Sequence, residues 1–227
     1  MNETKFLSIA IDGPAAAGKT TLAKRLASTL GLTYVDTGAM YRAVALHSYR
    51  LCGMDLDRDI VARVLNPIDL DIVSENNVQR IYLDGEPIDD AELRQPHISI
   101  LASDISVFSA VRAFLLDKQR AFARTADVVM EGRDIGSVVL PDASAKFYLT
   151  ADLLVRAQRR YLDERKSIPD IDPLKVASDL ARRDRNDMTR KEAPLRMCDG
   201  VIKIDSTLMT PDEVVDLVIM YLSNMSA

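Results

Sequence analysis

Residues 13 to 20 read Gly-Pro-Ala-Ala-Ala-Gly-Lys-Thr, the spacing G-x-x-x-x-G-K-[ST]. These residue types suit one task, holding the phosphates of a nucleoside triphosphate. Glycine lets the backbone turn so that successive N–H groups point inward at phosphate oxygens. Lys19 puts a cation on the terminal phosphates, and the Thr20 hydroxyl is placed to ligate Mg²⁺. A helix starting near Gly18 adds about half a positive charge from its dipole. The candidate triphosphate-binding residues are therefore Gly13, Pro14, Ala15, Ala16, Ala17, Gly18, Lys19, Thr20 and Thr21.

The loop does not decide what receives the phosphate. A switch GTPase would carry a guanine-reading N-K-x-D, which the chain lacks, and a translocating motor would need a longer chain with a basic track. Small-molecule kinases are left in front. Three further clusters suit an acceptor. Asp36 ends an apolar run and is followed by Thr37, read as a helix N-cap, with Tyr41 and Arg42 one turn on. Glu131, Arg133 and Asp134 end another run, although Arg133 and Asp134 also read as a plain loop ion pair. After Pro173, an apolar helical stripe through Val176 and Leu180 continues as Arg183, Asp187 and Arg190. Charge is costly on a core-facing stripe unless that end opens into a polar cleft.

The elements that must position these residues alternate. Apolar runs at 6–11, 33–36, 127–130, 145–149 and 201–205 read as strands, mostly continuous, as in a parallel sheet buried on both faces. Between them lie helical patterns such as Leu22, Leu26 and Leu30 closed by Gly31, and a final helix opened by Thr210-Pro211. The pattern predicts an α/β P-loop kinase fold: a five-stranded parallel sheet flanked by helices, with a small antiparallel insertion and a lid. Residues at the C-terminal edge of such a sheet form its ligand site. Residues 68–88 carry two alternating stretches with Asn76-Asn77 and Asp84-Gly85 turns, a meander within an insertion over about 61–97. The breaker-rich stretch 166–173 reads as a mobile lid or an ordinary helix connection, with Asp172 capping the next helix. One domain is expected: core at about 1–60, 98–155 and 196–227, lid at about 156–172, and a substrate-facing helix at about 173–190.

Composition bounds the partners. Of 227 residues, 48% are hydrophobic and 28% charged, Trp is absent, and the net charge is −5, which argues against a nucleic-acid polymer. Yet arginines cluster between Arg156 and Lys191, a distribution suited to small anions. Cys52 and Cys198 have no metal or disulfide spacing and read as idle thiols in a reducing compartment. No run approaches the length of a membrane span, so a cytoplasmic protein is expected.

The stretches "IDGPAAAGKTT", "YVDTGAMYRAVAL", "ASDISVFSAVR", "VVMEGRDIGSVVLPDASAKFYLTA", "RDRNDMTRKEAPL" and "IDST" together resemble the bacterial cytidylate kinase (CMP kinase) family, in order over nearly the whole chain. Ala16, Ser137 and Ser109 stand where relatives often carry Gly, Thr and Pro. The resemblance implies transfer of the ATP γ-phosphoryl group to CMP or dCMP with Mg²⁺, by a monomer. It implies that Arg42 and Arg133 hold the acceptor phosphate, that Ser103, Arg112 and Asp134 read the cytosine, and that Arg183 and Asp187 hold the pentose. It also implies that Arg190 closes the cytosine end, and that the arginines around 156–160, Arg159 and Arg160 among them, clamp the transferring group beside Lys19 and Arg133. An acceptor phosphate is already an anionic nucleophile and needs no protein base. His47 and His97 accordingly read as ordinary surface residues. Another monophosphate, or a hydroxyl acceptor with Asp36 as base, is the nearest competing reading. A nucleotide-sensing switch is the more distant one.

Overall fold

The computed structural model describes residues 6–55, 58–65, 68–166 and 168–225. Strand β1 (Ser8–Asp12) is buried along its whole length and runs into the Gly-rich loop. Helix α1 (Lys19–Leu30) follows and stops on Gly31, whose φ of 69° and N–H bond to the Ala27 carbonyl make the left-handed cap that glycine favours. Next come β2 (Thr33–Asp36), α2 (Thr37–Cys52) and α3 (Arg58–Leu65). The insertion contains β3 (Leu70–Glu75), β4 (Val78–Leu83), β5 (Glu86–Pro87) and α4 (Asp90–Leu93). The chain returns through α5 (Pro96–Ile105), α6 (Ser109–Ala123), β6 (Val128–Gly132) and a π-helical turn, Ile135–Val139. It ends with β7 (Ala145–Thr150), α7 (Leu153–Glu164), α8 (Pro173–Thr189), β8 (Ile202–Asp205) and α9 (Pro211–Met225).

Five strands, in the order β2-β6-β1-β7-β8, are parallel, as the apolar runs predict. Period-2 alternation sends their side chains to two cores. Ala10, Val35, Val128 and Met130 meet Met40, Val44, Leu101 and Leu115 on one face. Ile9, Ile11, Val129 and Phe147 meet Leu22, Leu26 and Val218 on the other. Burial on both faces is why these strands read as unbroken apolar runs. Among the described residues, no single helix is long and apolar enough to cross a membrane.

The insertion is the antiparallel meander expected, with Asn76, Asn77, Asp84 and Gly85 at positive φ. The sheet is not limited to the five strands expected, however. β4 lies parallel beside β2, with Val78 opposite Tyr34, so the sheet grows to eight strands. The free edge of β2 explains the joining: Tyr34 N–H donates to the Asn77 carbonyl, and Asp36 N–H donates to Gln79 Oε1 at 2.6 Å. The segment expected as a lid comprises most of α7 and the turn before α8, where Asp172 caps the helix by accepting from Leu174 N–H; Ser167 lies outside the described residues.

The close approach of the Gly-rich loop to β7 depends on Gly13. Its φ is +147°, and a Cβ there would lie 1.9 Å from the Leu149 carbonyl oxygen. Backbone cannot yield as a flexible side chain does. Gly13→Ala is expected to lose at least about 2 kcal/mol of unfolding free energy in denaturant melts; a variant as stable as wild type would show that the approach is not tight.

Candidate functional site

Three parallel strands end together and set the site. β1 delivers Asp12 and the loop, β6 delivers Glu131 and Gly132, and β2 delivers Asp36, each with side chains too polar for the core but buried at its rim. In the loop itself Ala16 takes φ 58° and Gly18 φ 97°, the left-handed region that glycine adopts more readily than alanine. The outward carbonyls of the loop are held from behind. Lys19 Nζ donates to Pro14 O at 2.7 Å, Arg156 Nη1 donates to Ala15 O at 3.1 Å, and Ser206 Oγ donates to Ala17 O at 3.2 Å. Burial and then Arg133 push the Lys19 amine down to about 7.

Two cavities meet at Lys19 and Thr20. The first, about 830 Å³, is lined by Ala16, Ala17, Gly18, Lys19, Thr20 and Thr21 together with Arg159, Arg160, Ser206 and Met209. Gly13 and Pro14 line neither cavity and serve as backbone support, while Ala15 faces the second. That second cavity, about 190 Å³, is lined by Thr37, Tyr41, Arg42, Ser103, Arg133, Asp134, Arg183, Asp187 and Arg190. Of the residues expected on the acceptor side, only Arg112 stands behind the lining, hydrogen-bonded to the Asp134 carboxylate. Arg160 faces both cavities and pairs with Glu164 one turn away, whereas Arg159 donates to Ser206 O at 2.7 Å.

Several local expectations change. Asp36, not Thr37, caps α2: its Oδ1 accepts from Ala39 N–H at 3.0 Å, and Thr37 is already helical, donating its hydroxyl to Glu131 O. Arg133 and Asp134 do not pair with each other. Arg133 Nε donates to Asp187 Oδ2 at 2.7 Å, while Asp134 meets Arg112 and Arg190. Adjacent residues in that turn point to different partners, which no spacing rule could reveal. Arg156, grouped in the sequence with the clamp arginines, is buried between Asp184 at 2.6 Å and two backbone carbonyls. His47 is buried rather than on the surface, with Nδ1 3.7 Å from Asp84; His97 is half-buried beside Tyr49. Asp36 is unsuited as a base: burial alone would raise its carboxyl, but Arg42 and Arg94 hold it below its ordinary value.

Sequence reasoning missed Arg94, which lines both cavities from the end of α4, and the supporting roles of Asp12, Asp184 and Ser206. Asp12 alone left a trace, as a charge ending an otherwise apolar strand. Glu131 was legible as a rim residue but not as a hub: it accepts from the Tyr34 hydroxyl at 2.6 Å, interacts with Thr20, and its carboxyl is pushed up by burial and by Asp36.

The Cytidylate kinase family model matches residues 9–224. The chain belongs to the cytidylate kinase family. A cytidylate kinase of Caldicellulosiruptor bescii is 43% identical over 95% of this chain and 95% of its own length. One from Caldanaerobacter subterraneus is 45% identical over 93% and 92%. Among solved structures, an uncharacterized protein from Eubacterium ventriosum, 14% identical, superposes with a TM-score of 0.51 over 97% of this chain and 99% of its own, a likeness of fold. Family membership thus covers both cavities and the sheet edge that joins them.

The carboxylates keep the arginines of the second cavity in place. Burial would raise Asp187, but Arg133, Arg190 and Arg183 hold it below the ordinary 3.8. Such a group contributes stability that is present above its unfolded pKa and lost as pH falls through the depressed one. Asp187→Asn is therefore expected to cost about 2 kcal/mol at pH 7, because it leaves the half-buried Arg133 without its nearest counter-charge. In denaturant melts that gap should persist down to the ordinary carboxyl pKa of 3.8 and close only below it, as the wild-type carboxylate takes up its own proton. A gap independent of pH would contradict the pairing.

Proposed function

We propose that this cytidylate kinase family member transfers the γ-phosphoryl group of ATP to CMP, forming CDP and ADP, and accepts dCMP in the same cavity. The observation that carries the reading is the junction of the two cavities at Lys19 and Thr20. One side is a phosphate loop, and the other is a small cavity with Arg42, Arg133 and Arg183 at its wall and Asp134 between Arg112 and Arg190. One buried donor on that side, Arg42 Nε, has no hydrogen-bond partner among the described residues, and a donor of this kind calls for an acceptor.

In this reading ATP lies in the larger cavity with its phosphates on residues 15 to 21. Arg42 and Arg133 take the acceptor phosphate, since a guanidinium pairs with a phosphate through two parallel bonds. Asp134, held from behind by Arg112, and Ser103 meet the edge of cytosine; uracil would set acceptor against acceptor at Asp134. Arg183 and Asp187 hold the pentose, and Arg190 closes the base end. Oxygen donors fit Mg²⁺: the Thr20 hydroxyl would supply a ligand, and the Glu131 carboxylate beside it would orient ligating water. Mg²⁺, when bound, neutralises charge on the transferring phosphates.

The acceptor phosphate attacks in line, and the chain's task is positioning and charge stabilisation by Lys19, Arg133, Arg159 and Arg160. Arg159 and Arg160 lie on α7, ahead of the segment 168–172 that leads into α8. Closure of this lid over ATP brings both guanidinium groups onto the transferring group and excludes water. All the residues invoked belong to one chain, so a monomer suffices, and the free Cys52 and Cys198 suit the reducing cytoplasm.

A coupled assay of ADP release against CMP, dCMP, UMP, AMP and a hydroxyl metabolite tests the reading. CMP and dCMP should turn over, with UMP about a hundredfold or more lower in kcat/KM. ATP binding without acceptor-dependent ADP release would instead mark a regulatory switch. Lys19→Met should lower transfer by about a thousandfold or more without lowering Tm, because the apolar side chain suits the buried position but supplies no cation where the two cavities meet. Full activity in that variant would remove the phosphate loop from the mechanism.

A further inference from the structure

Asp134 occupies the N-cap position of the π-helical turn Ile135–Val139, yet its side chain makes no cap bond. Aspartate at such a position ordinarily folds back over the free N–H groups that follow. Here its carboxylate faces the other way, onto Arg112 and Arg190 and into the acceptor cavity. The N–H groups it leaves are not orphaned. Ile135 N–H donates to Asp12 Oδ1 and Gly136 N–H donates to Asp12 Oδ2, both at 2.8 Å. Asp12 comes from the end of β1, more than 120 residues earlier, and is 4% exposed. The turn is closely packed: a Cβ on Gly132 would lie 2.6 Å from Ile135 Cδ1, and one on Gly136 would lie 3.3 Å from Cys198 Sγ.

We infer that Asp12 is a positioning residue that caps this turn in place of Asp134, and so frees the Asp134 carboxylate to read the acceptor's base. The inference rests on the proposed assignment of Asp134 to cytosine. A buried carboxylate is a costly cap. Burial pushes the Asp12 carboxyl up to about 6, against the pull of the two N–H bonds. Self-capping by Asp134 would spare that cost, but would withdraw the carboxylate from the cavity. Asp12 also adjoins Gly13, so one residue ties the start of the donor loop to the turn that carries Arg133 and Asp134.

Steady-state kinetics on wild type, Asp12→Ala, Asp12→Asn, Asp134→Ala and the Asp12→Ala/Asp134→Ala double variant, with folding followed by circular dichroism, test this. With Asp12→Ala the two freed N–H groups recruit Asp134, raising KM for CMP about tenfold and lowering the CMP:UMP ratio of kcat/KM about tenfold, while KM for ATP stays within about twofold. Asp12→Asn keeps one acceptor and should move the same quantities about threefold; it carries the test if the alanine variant does not fold. Once Asp134 is alanine, removing Asp12 as well should change the CMP:UMP ratio by less than about twofold, because the interaction it protects is gone. A parallel rise in both KM values, an unchanged CMP:UMP ratio, or additive losses in the double variant would each reduce Asp12 to a structural cap and overturn the inference. Failure of the functional reading appears separately, as wild type lacking CMP-dependent ADP release.

Discussion

Arg42, Arg133, Arg183 and Arg190 converge on one small cleft, and their mutual repulsion has to be offset before any anionic substrate arrives. Burial makes the problem sharper, because a guanidinium removed from water cannot rely on solvent screening. The chain answers with carboxylates placed in the wall of the cleft: Asp36 against Arg42 and Arg94, Asp187 against Arg133, and Asp134 between Arg112 and Arg190. Asp184 plays the same part for Arg156, one layer deeper. Arg183, the least compensated, is pushed down to about 10 by burial and by Arg133 and Arg160. The cleft is thus preorganised for anions. Its donors are aimed and partly paired, and little rearrangement is left for the substrate to drive.

The sheet makes that arrangement possible. Parallel strands end on the same side, so Asp12, Asp36 and Glu131 arrive together although Asp12 and Glu131 lie more than a hundred residues apart. The meander adds to this edge without building a lobe of its own: Gln79 steadies Asp36 through its backbone N–H, and Arg94 reaches the junction of the cavities. Helix α8 bridges the layers, burying Val176 and Leu180 while presenting Arg183, Asp187 and Arg190 to the cleft.

Legibility followed the range of the interactions. The loop, Gly31 as helix stop, the Asn-Asn and Asp-Gly turns and the charged end of the α8 stripe rest on contacts within a few residues, and all appear where the sequence places them. The choice of Asp36 over Thr37 as cap was not readable, since both residue types cap well and only the nearby Glu131 carbonyl draws the Thr37 hydroxyl away. His47 looked superficial because its neighbours in sequence say nothing of Asp84, which folds over it from the insertion. Arg133 and Asp134 looked like a pair because they are adjacent, yet each partner comes from a distant helix.

From the residues alone came the class of fold, the triphosphate loop, the family resemblance and most of the side chains that line the cleft. Those features depend on local spacing, on the period of apolar burial, and on motifs continuous in the chain. Only the tertiary structure decided which arginine meets which carboxylate, that the insertion extends the main sheet, that Arg156 grips the loop while Arg160 faces it, and that Asp12 caps a turn Asp134 leaves open. A carboxylate can satisfy any donor brought within 3 Å. Its partner is therefore set by the folding of distant segments around it, and the order of residues does not record that choice.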